Sequence, residues 1–221
     1  GNEPVAEHIS LDSRKMAGND LFVPIIGERA DGHDYICMAI GNGATVVFTS
    51  RHKTEEEVHE AILTQCKGDK EKETAAKAAA WICVPDTRKA LQDFGAYCRR
   101  NNPIPLVGIT GSVGKTTTRE MVAAALSAGF LVYKTPGNSN SQVGVPITVA
   151  EIPENAEIGV IELGMSEPGE MTRIVNVAQV NCAVMTNIGV AHIEQLGSQE
   201  NILKEKLHIQ DGMSEKGTLF L

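Results

Sequence analysis

A segment rich in glycine and threonine, GITGSVGKTTT (108–118), lies where an apolar run gives way to a helical pattern. Gly111 and Gly114 allow the backbone to turn successive N–H groups inward, where they can hold phosphate oxygens. Lys115 adds a positive charge, and Thr116 offers a hydroxyl group to Mg²⁺. The spacing is T-G-x-x-G-K-T, since an isoleucine stands where the strict G-x-x-x-x-G-K-[ST] pattern has its first glycine. A strand, a G-K-T sequence and a helix in this order favour a phosphate-binding loop over an ordinary glycine turn.

The residues downstream of this loop do not settle which reaction it serves. A GTP-binding protein would carry an N-K-x-D sequence that reads guanine, and TNIG (186–189) does not match it. In an acidic chain, the local positive potential of the loop is what attracts a nucleoside triphosphate. The loop therefore predicts a triphosphate site and leaves the reaction open.

Polar residues follow several predicted strands, at the edge where ligands bind in open α/β sheets. Glu162 closes the apolar run IGVIEL (158–163), where a carboxylate needs a partner or a cation. His192 lies in the loop after the run CAVMTNI, and Asn138 and Asn140 lie in the loop after another strand. Each has a plain structural alternative, namely a glutamate that faces water, a structural histidine and asparagines that form turns.

Lys206 lies in the middle of the apolar face of a predicted helix. At about 100° per residue, the neighbours on its face are Ile202, Leu203, Ile209, Gln210 and Met213. A permanent ammonium group is costly in such a place, so we expect burial to lower its pKa. A neutral amine can react with CO₂ to form a carbamate, whose two oxygens could bind Mg²⁺. The alternative is a lysine whose stem lies on apolar surface while its charge reaches water.

Composition restricts the class of protein. The chain has 221 residues, a formal net charge of −8 and 42% hydrophobic residues, which is enough for a globular core. Its acidity argues against a general nucleic-acid binder, and no apolar run reaches the roughly 18 residues of a membrane helix. The start, GNEPVAEHIS, lacks the parts of a signal peptide, and the scattered cysteines fit buried cytosolic thiols. We therefore expect a cytoplasmic globular protein that binds neither nucleic acid nor membrane.

The first half of the chain predicts short strands separated by helices. Three apolar runs are predicted strands: 20–26, 44–50 and 80–84. Thr54 and Glu57 form a capping box that opens a helix. The charged, alanine-rich segment 67–80 predicts a solvated helix or a loop insertion. Asp86 can cap a further helix, which ends ahead of the turn-rich break NNPIP (101–105).

The second half alternates strands and helices more regularly, which predicts βαβ units and a parallel sheet. The predicted strands are 106–110, 131–135, 158–163, 182–188 and 217–221, and the predicted helices are 115–128, 168–177 and 199–213. The last strand stops at the end of the chain, so we expect the chain to be part of a longer protein. The fold class that follows is α/β.

Five segments occur in the order seen in one enzyme family: GITGSVGKTTT, TPGNSNSQVGVP, VIELGMSEPGEM, TNIGVAHIEQLGS and ILKEKLHIQDGM. In these segments the chain resembles the Mur ligases. The N-terminal segment SLDSRKMAGNDLFVPIIGERADGHDYI and the later GATVVFTS are similar to the UDP-substrate domain of that family. The resemblance covers nearly the whole chain except the insertion around 67–80. It implies a UDP-substrate domain of mixed α/β type at 1–103 and part of a P-loop-type, parallel-sheet central ATP-binding domain at 104–221, with a third, C-terminal domain absent.

The resemblance also implies an activity. The sequences GN-x-N, IELGMS-x-x-GE and TNIG-x-AH are similar to the family members that join D-Ala-D-Ala to UDP-N-acetylmuramoyl tripeptide. Such an enzyme is an ATP-dependent ligase of peptidoglycan synthesis that uses Mg²⁺, and we expect a monomer. The alternatives are the family member that adds the third amino acid, diaminopimelate or lysine, and a non-catalytic nucleotide-binding module. We expect this part alone to be inactive, because the family's contacts to adenine and dipeptide lie largely outside it.

The resemblance assigns roles to individual residues. The ATP-phosphate-binding residues would be Gly111, Ser112, Gly114, Lys115, Thr116 and Thr117. One Mg²⁺ would be held by Thr116 and Glu162, and a second by His192 and carbamylated Lys206. The catalytic residues would be Lys115, His192 and Lys206. The substrate-binding residues would be Ser13, Arg14, Gly32, His33, Asn138 and Asn140, of which the first four would contact the UDP end. Turn chemistry is the alternative for those four.

Overall fold

The structure is a computed structural model, and it describes residues 5–221. Contacts within the chain divide it into two compact units, one ending at Ala90 and the other beginning at Leu91. This division falls inside a helix, ahead of the turn-rich segment 101–105. The domain boundary expected between residues 103 and 104 stays a prediction. Within the described residues, none of the helices combines the length and the apolar character needed to cross a membrane.

The first unit contains a four-stranded parallel sheet. Its strands are β1 (His8–Ser10), β2 (Asp20–Phe22), β3 (Ala44–Thr49) and β4 (Ala80–Cys83), and they lie side by side in that order. Phe22 pairs with Val47, and Val47 pairs with Trp81. The three strands predicted from apolar runs are confirmed. Strand β1 was not predicted, because His-Ile-Ser has only one apolar residue to mark it.

Helices cover this sheet. They are the 3₁₀ turn Gly32–Tyr35, α1 (Ile36–Gly41), α2 (Glu55–Cys66), α3 (Lys70–Ala78) and the start of α4 (Thr87–Asn101). The predicted capping box is confirmed, since the Thr54 hydroxyl accepts from Glu57 N and the Glu57 carboxylate accepts from Thr54 N. The charged segment 67–80 forms a helix, whose buried Ala76 packs into the core with Phe22 and Ile62.

The second unit contains a five-stranded parallel sheet, as predicted. Its strands are β5 (Leu106–Thr110), β6 (Val132–Lys134), β7 (Ile158–Glu162), β8 (Cys182–Met185) and β9 (Thr218–Phe220), in the order β6-β7-β5-β8-β9. Strand β5 is central, and pairs Ile109 with Glu162 on one side and with Val184 on the other. The carboxyl ends of β5, β7 and β8 therefore meet at one edge of the sheet.

The helices of the second unit alternate with these strands. They are the remainder of α4, α5 (Lys115–Leu126), α6 (Gly144–Ala150), α7 (Glu170–Ala178), α8 (Ile193–Leu196) and α9 (Gln199–Leu207). Helices α6 and α8 were not predicted. The helix predicted over 199–213 is an α-helix only to Leu207, after which a 3₁₀ turn covers His208–Gly212.

Side chains of the central strand β5 alternate between the two faces of the sheet, as the period of a strand requires. Leu106 packs on one face with Ile202 of α9 and with Ile209. Ile109 packs on the other face with Ala123 of α5. Helices α9 and α5 therefore cover opposite faces of the strand that ends in the phosphate-binding loop.

Candidate functional site

The glycine-rich loop follows the last residue of β5 and leads directly into α5. Gly111 has a φ of +146° and Gly114 a φ of +86°, a region of backbone conformation that favours glycine. A Cβ atom at residue 111 would lie 1.9 Å from the Thr186 hydroxyl oxygen, so no larger residue fits there. Lys115 folds back over the loop, and its Nζ donates to the Gly111 carbonyl at 2.9 Å.

The segment after β8 braces this loop. Asn187 accepts from Val113 N through Oδ1 at 3.0 Å and donates to Val113 O through Nδ2 at 3.1 Å. Its carbonyl accepts from Ser112 N at 3.1 Å, and the Ser112 hydroxyl accepts from Gly189 N at 2.8 Å. Sequence reasoning used the TNIG segment to argue against a guanine site and as part of the family resemblance, and it assigned no role to Asn187. Its position just after a strand, next to the loop on the sheet edge, was the signal for this supporting role.

Glu162, at the end of β7, is the centre of a buried polar cluster. Only 2% of the residue is exposed, and its carboxylate accepts from Thr116 Oγ1 at 3.1 Å and from Asn140 Nδ2 at 2.8 Å. Arg119 forms an ion pair with the same carboxylate at 3.3 Å. The cluster thus joins the predicted residues Thr116, Glu162 and Asn140. It also contains Arg119, which sequence reasoning missed although it lies one helical turn beyond Thr116.

Thr116 and Glu162 present donors of the kind that Mg²⁺ prefers, a hydroxyl and a carboxylate oxygen. The two oxygens converge beside the phosphate-binding loop, so the pair fits one Mg²⁺ ion. Among residues 5–221, no group of three or more His, Cys, Asp and Glu side chains is placed to hold a metal ion. Phosphate oxygens and water would therefore have to supply the remaining ligands, as is usual for Mg²⁺.

Lys206 is buried at the same edge of the sheet, with 1% of its surface exposed. Its Nζ donates to the Gly111 carbonyl at 3.2 Å, the same oxygen that Lys115 contacts. Burial, and after it the positive charge of Lys115, lower the pKa of Lys206 to about 8 against the opposing effect of Glu205. The prediction that Lys206 faces inward is confirmed, and the direction of its pKa shift is the one expected from burial.

Three other predicted residues lie at the surface of the second unit. Asn138, Thr117 and His192 are exposed. His192 precedes α8 with a φ of +66°, a left-handed conformation that is uncommon for a histidine. In the described part of the chain, its ring makes no hydrogen bond with Glu162 or Lys206. The structure therefore assembles Thr116 with Glu162, and Lys206 with the loop, but does not join His192 to either pair.

Glu205 is a further buried residue that sequence reasoning did not single out. Its carboxylate accepts from Gly169 N at 2.9 Å and from Met171 N at 3.0 Å. These N–H groups belong to the start of α7, which has no side-chain cap of its own from Gly169. Glu205 therefore ties the helix that carries Lys206 to the first turn of α7.

In the first unit, three of the four predicted UDP contacts lie together. Ser13, Arg14 and Gly32 line one cavity of about 500 Å³, along with Tyr35 and Met38. The Arg14 side chain is exposed and pairs with a neighbouring aspartate, while the backbone of Ser13 accepts a hydrogen bond from Asn42 at 2.8 Å. The cavity therefore offers a cation, a hydroxyl and an apolar wall in one place.

His33, the fourth of these residues, is buried completely. Its Nε2 accepts from Ser50 N at 3.0 Å, so its Nδ1 carries the proton and donates to Asp31 Oδ1 at 2.6 Å. A Cβ atom at Gly32 would lie 2.7 Å from Ile25 N, so the turn requires glycine. His33 therefore holds the wall of the cavity in place from behind, and its side chain does not line the cavity.

A parallel sheet whose central strand leads through a glycine-rich loop into a helix defines a phosphate-binding α/β protein. The family model described as "Mur ligase middle domain" matches residues 109–221, and the model described as "Mur ligase family, catalytic domain" matches residues 6–98. The chain belongs to the Mur ligase family.

Curated relatives share much of the sequence. The UDP-N-acetylmuramoyl-tripeptide–D-alanyl-D-alanine ligase of Bacillus subtilis is 36% identical over 217 residues, a match that covers 98% of this chain and 43% of that protein. The Escherichia coli enzyme of the same name is 32% identical, with 98% and 43% covered. The chain therefore spans less than half the length of the relatives it matches.

Solved structures agree with this assignment of the fold. A MurF structure from Acinetobacter baumannii has a TM-score of 0.80 at 31% identity, covering 96% of this chain and 42% of that one. The MurF ligase of Thermotoga maritima, solved in complex with ADP, has a TM-score of 0.79 at 28% identity, covering 99% and 46%. Both parts of the chain thus have counterparts in one known architecture.

Proposed function

We propose that this chain is the UDP-substrate-binding and ATP-binding part of an enzyme that joins D-Ala-D-Ala to UDP-N-acetylmuramoyl tripeptide. The relatives named for this reaction match nearly the whole chain. The observation that carries the proposal is the convergence of Lys115 and Lys206 on the Gly111 carbonyl, beside the Thr116–Glu162 pair. Cationic and oxygen-donor groups meet there at a water-accessible loop, as transfer of a phosphoryl group requires.

In the proposed reaction, a carboxylate oxygen of the tripeptide attacks the γ-phosphorus of ATP, and the bond from that phosphorus to the bridging oxygen of ADP breaks. The amine of D-Ala-D-Ala then adds to the acyl phosphate, and the tetrahedral intermediate loses phosphate and a proton to give the amide. This chain contributes charge and position. The N–H groups of residues 111–117 and the Lys115 ammonium would hold the phosphates, and Asn187 would keep the loop in shape.

Mg²⁺ would be held by Thr116 and Glu162, whose oxygens already lie 3.1 Å apart. The ion would neutralise the charge that develops on the phosphate oxygens. Arg119 and Asn140 fix the Glu162 carboxylate through two further contacts, so the carboxylate is positioned before any ligand arrives. The second ion, assigned by resemblance to His192 and carbamylated Lys206, stays a prediction.

In the first unit, the cavity lined by Ser13, Arg14 and Gly32 would receive the UDP end of the substrate. Arg14 can reach a diphosphate, because its side chain is exposed and, in the described structure, pairs only with the partly buried Asp12. Asn138 and Asn140 would lie nearer the peptide end. The complete enzyme would act in the cytoplasm as a monomer, where ATP and the UDP-linked substrate are both available.

Binding of ATP tests the phosphate loop directly. Isothermal titration of the 221-residue chain with ATP and Mg²⁺ should give saturable binding, and Lys115→Ala should abolish it. The control is Lys204→Ala, which removes an exposed lysine from α9 and should leave affinity unchanged. Equal affinity for the native chain and Lys115→Ala would rule out the assigned loop.

Binding of the UDP-linked substrate tests the first unit. UDP-N-acetylmuramoyl tripeptide should raise the melting temperature of the chain, and Arg14→Ala should reduce that rise, while Arg29→Ala should not. A chain that binds ATP but no UDP-sugar ligand would be a nucleotide-binding module instead. With the complete enzyme, turnover of D-Ala-D-Ala but not of diaminopimelate or lysine separates the proposed ligase from the enzyme that adds the third residue.

A further inference from the structure

Thr110, the last residue of β5, has a buried hydroxyl without a partner. The residue is 0% exposed. Within residues 5–221, its Oγ1 is the one buried side-chain nitrogen or oxygen atom that makes no hydrogen bond. The backbone of Thr110 is satisfied, since its carbonyl accepts from Thr186 N at 2.9 Å. The missing hydrogen bond of Thr110 is therefore that of its side-chain hydroxyl alone.

The strand places this hydroxyl on the face that α9 covers. Alternation along β5 puts Thr110 on the same face as Leu106, which packs with Ile202 and Ile209, and opposite to Ile109. The next residue, Gly111, accepts from Lys206 Nζ at 3.2 Å. Lys206, on the helix that covers this face of the sheet, thus contacts the residue that directly follows Thr110.

An unpaired hydroxyl in this place carries a cost. Folding removes it from water and offers no replacement hydrogen bond. Valine has nearly the same shape and would avoid the cost, so the hydroxyl has a use only if a further polar group comes to it. The ammonium of Lys206 cannot accept a hydrogen bond from this hydroxyl, and it already donates one to the Gly111 carbonyl.

We propose that Thr110 is a positioning residue that donates its hydroxyl hydrogen to a carbamate oxygen on Lys206. The inference rests on the proposed function, because it takes Lys206 to be carbamylated. In that step the lone pair of the neutral Nζ forms a bond to the carbon of CO₂, and one C–O π pair moves onto oxygen. One N–H proton leaves to a solvent base, which gives –NH–COO⁻. A carboxylate in so dry a place needs donors; Lys115 reaches the Gly111 carbonyl that Lys206 contacts, and Thr110 is the residue before that carbonyl, with its hydroxyl unpaired.

The test measures carbamate directly and needs no turnover. The 221-residue chain is equilibrated with ¹³C-labelled bicarbonate, and the carbamate carbon is observed by ¹³C NMR, with Lys206→Arg to assign the signal. Thr110→Val should lower the carbamate fraction about tenfold, which is about 1.4 kcal/mol. Thr110→Ser, which keeps the hydroxyl, should stay within about twofold of the native chain.

A buried threonine elsewhere provides the matched control. Thr148 in α6 is buried but its hydroxyl donates to Ser139 O at 3.3 Å. Thr148→Val should lower the melting temperature and leave the carbamate fraction unchanged. Thr110→Val should not lower the melting temperature in CO₂-free buffer, because it removes an unpaired group. If Thr110→Val does not fold, Thr110→Ala replaces it under the same expectation for the carbamate.

Two results would overturn the inference. One is a folded Thr110→Val or Thr110→Ala variant whose carbamate fraction equals that of the native chain. The other is a native chain that shows no carbamate signal assigned to Lys206. Titration with ATP on the same samples separates this from the proposed function. If ATP binds while the carbamate is absent, only the role of Thr110 is lost. If ATP does not bind, the proposed nucleotide site fails whatever the carbamate signal shows.

Discussion

The side-chain ammonium groups of Lys115 and Lys206 donate to one acceptor, the carbonyl oxygen of Gly111, at 2.9 and 3.2 Å. Two cations at one oxygen repel each other, and burial of Lys206 adds the cost of desolvation. Both effects favour the neutral amine of Lys206, whose pKa falls to about 8. The contact also joins α9 to the phosphate-binding loop, so nucleotide binding and the state of Lys206 can influence each other.

The pKa of Lys206 makes stability depend on pH. Its pKa in the folded chain is about 8, below the ordinary value of 10.5, so the unfolded chain binds more protons between these values. The free energy of unfolding should therefore rise as pH increases from about 8 to 10.5, by roughly 3 kcal/mol if no other group interferes. Below pH 8, where Lys206 is protonated in both states, its buried charge destabilises the folded chain by the full amount. Urea unfolding of the native chain and Lys206→Met at several pH values measures the difference.

The comparison with an exposed lysine isolates the effect. Lys204 lies two residues away on the same helix and forms an exposed ion pair with Glu200 at 2.8 Å. Lys204→Met should follow the pH dependence of the native chain, and Lys206→Met alone should lack the rise. Parallel pH profiles for the native chain and Lys206→Met would show that the amine keeps an ordinary pKa.

Much of the fold was predictable because its signals are local. Alternation of apolar runs and helical patterns predicted the five strands of the second unit along the chain, and the Thr54 capping box predicted the start of α2. The inward position of Lys206 followed from helical geometry alone. Short elements were not predicted, because α8 has four residues and β1 has three, which is too few to show a periodic pattern.

The supporting residues of the site could not be predicted in the same way. Asn187 and Glu205 act on backbone groups that lie far away in sequence, Val113 and Met171. Such pairings depend on the register of the sheet and on helix packing, which no local pattern specifies. His33 shows the opposite case: the family resemblance implied a contact to the UDP end, whereas tertiary packing buries the ring behind the cavity.

Removal of the Asn187 side chain should loosen the phosphate-binding loop. Asn187→Ala deletes both hydrogen bonds to Val113, at 3.0 and 3.1 Å, and leaves the loop N–H groups less well ordered for phosphate. We expect ATP affinity to fall about tenfold, the effect of losing roughly 1.4 kcal/mol. Titration calorimetry measures it, with Asn176→Ala, an exposed asparagine of α7, as the control. Undiminished affinity would mean that the loop holds its shape without this brace.

The ion pair between Arg119 and Glu162 should contribute strongly to stability. Both side chains are buried, and Arg119 also donates to Gly137 O at 2.7 Å. Arg119→Met leaves the carboxylate of Glu162 without its cation, and we expect a loss of roughly 3 kcal/mol in the free energy of unfolding. Arg173→Met, at an exposed position of α7, should change it by less than about 0.5 kcal/mol. Urea unfolding at pH 7 compares them, and equal midpoints would contradict the assigned role.

Glu205 should stabilise the start of α7 through charge as well as hydrogen bonding. Its carboxylate accepts from Gly169 N and Met171 N, where the helix presents partial positive charge. Glu205→Gln keeps the shape but removes the charge and one acceptor, so we expect a loss of about 2 kcal/mol in unfolding free energy. Glu200→Gln, an exposed change on the same helix, should cost less than about 0.5 kcal/mol. Amide hydrogen exchange at the first turn of α7 should also become faster in Glu205→Gln, but not in Glu200→Gln. Unchanged protection in Glu205→Gln would show that α7 keeps its first turn without the carboxylate.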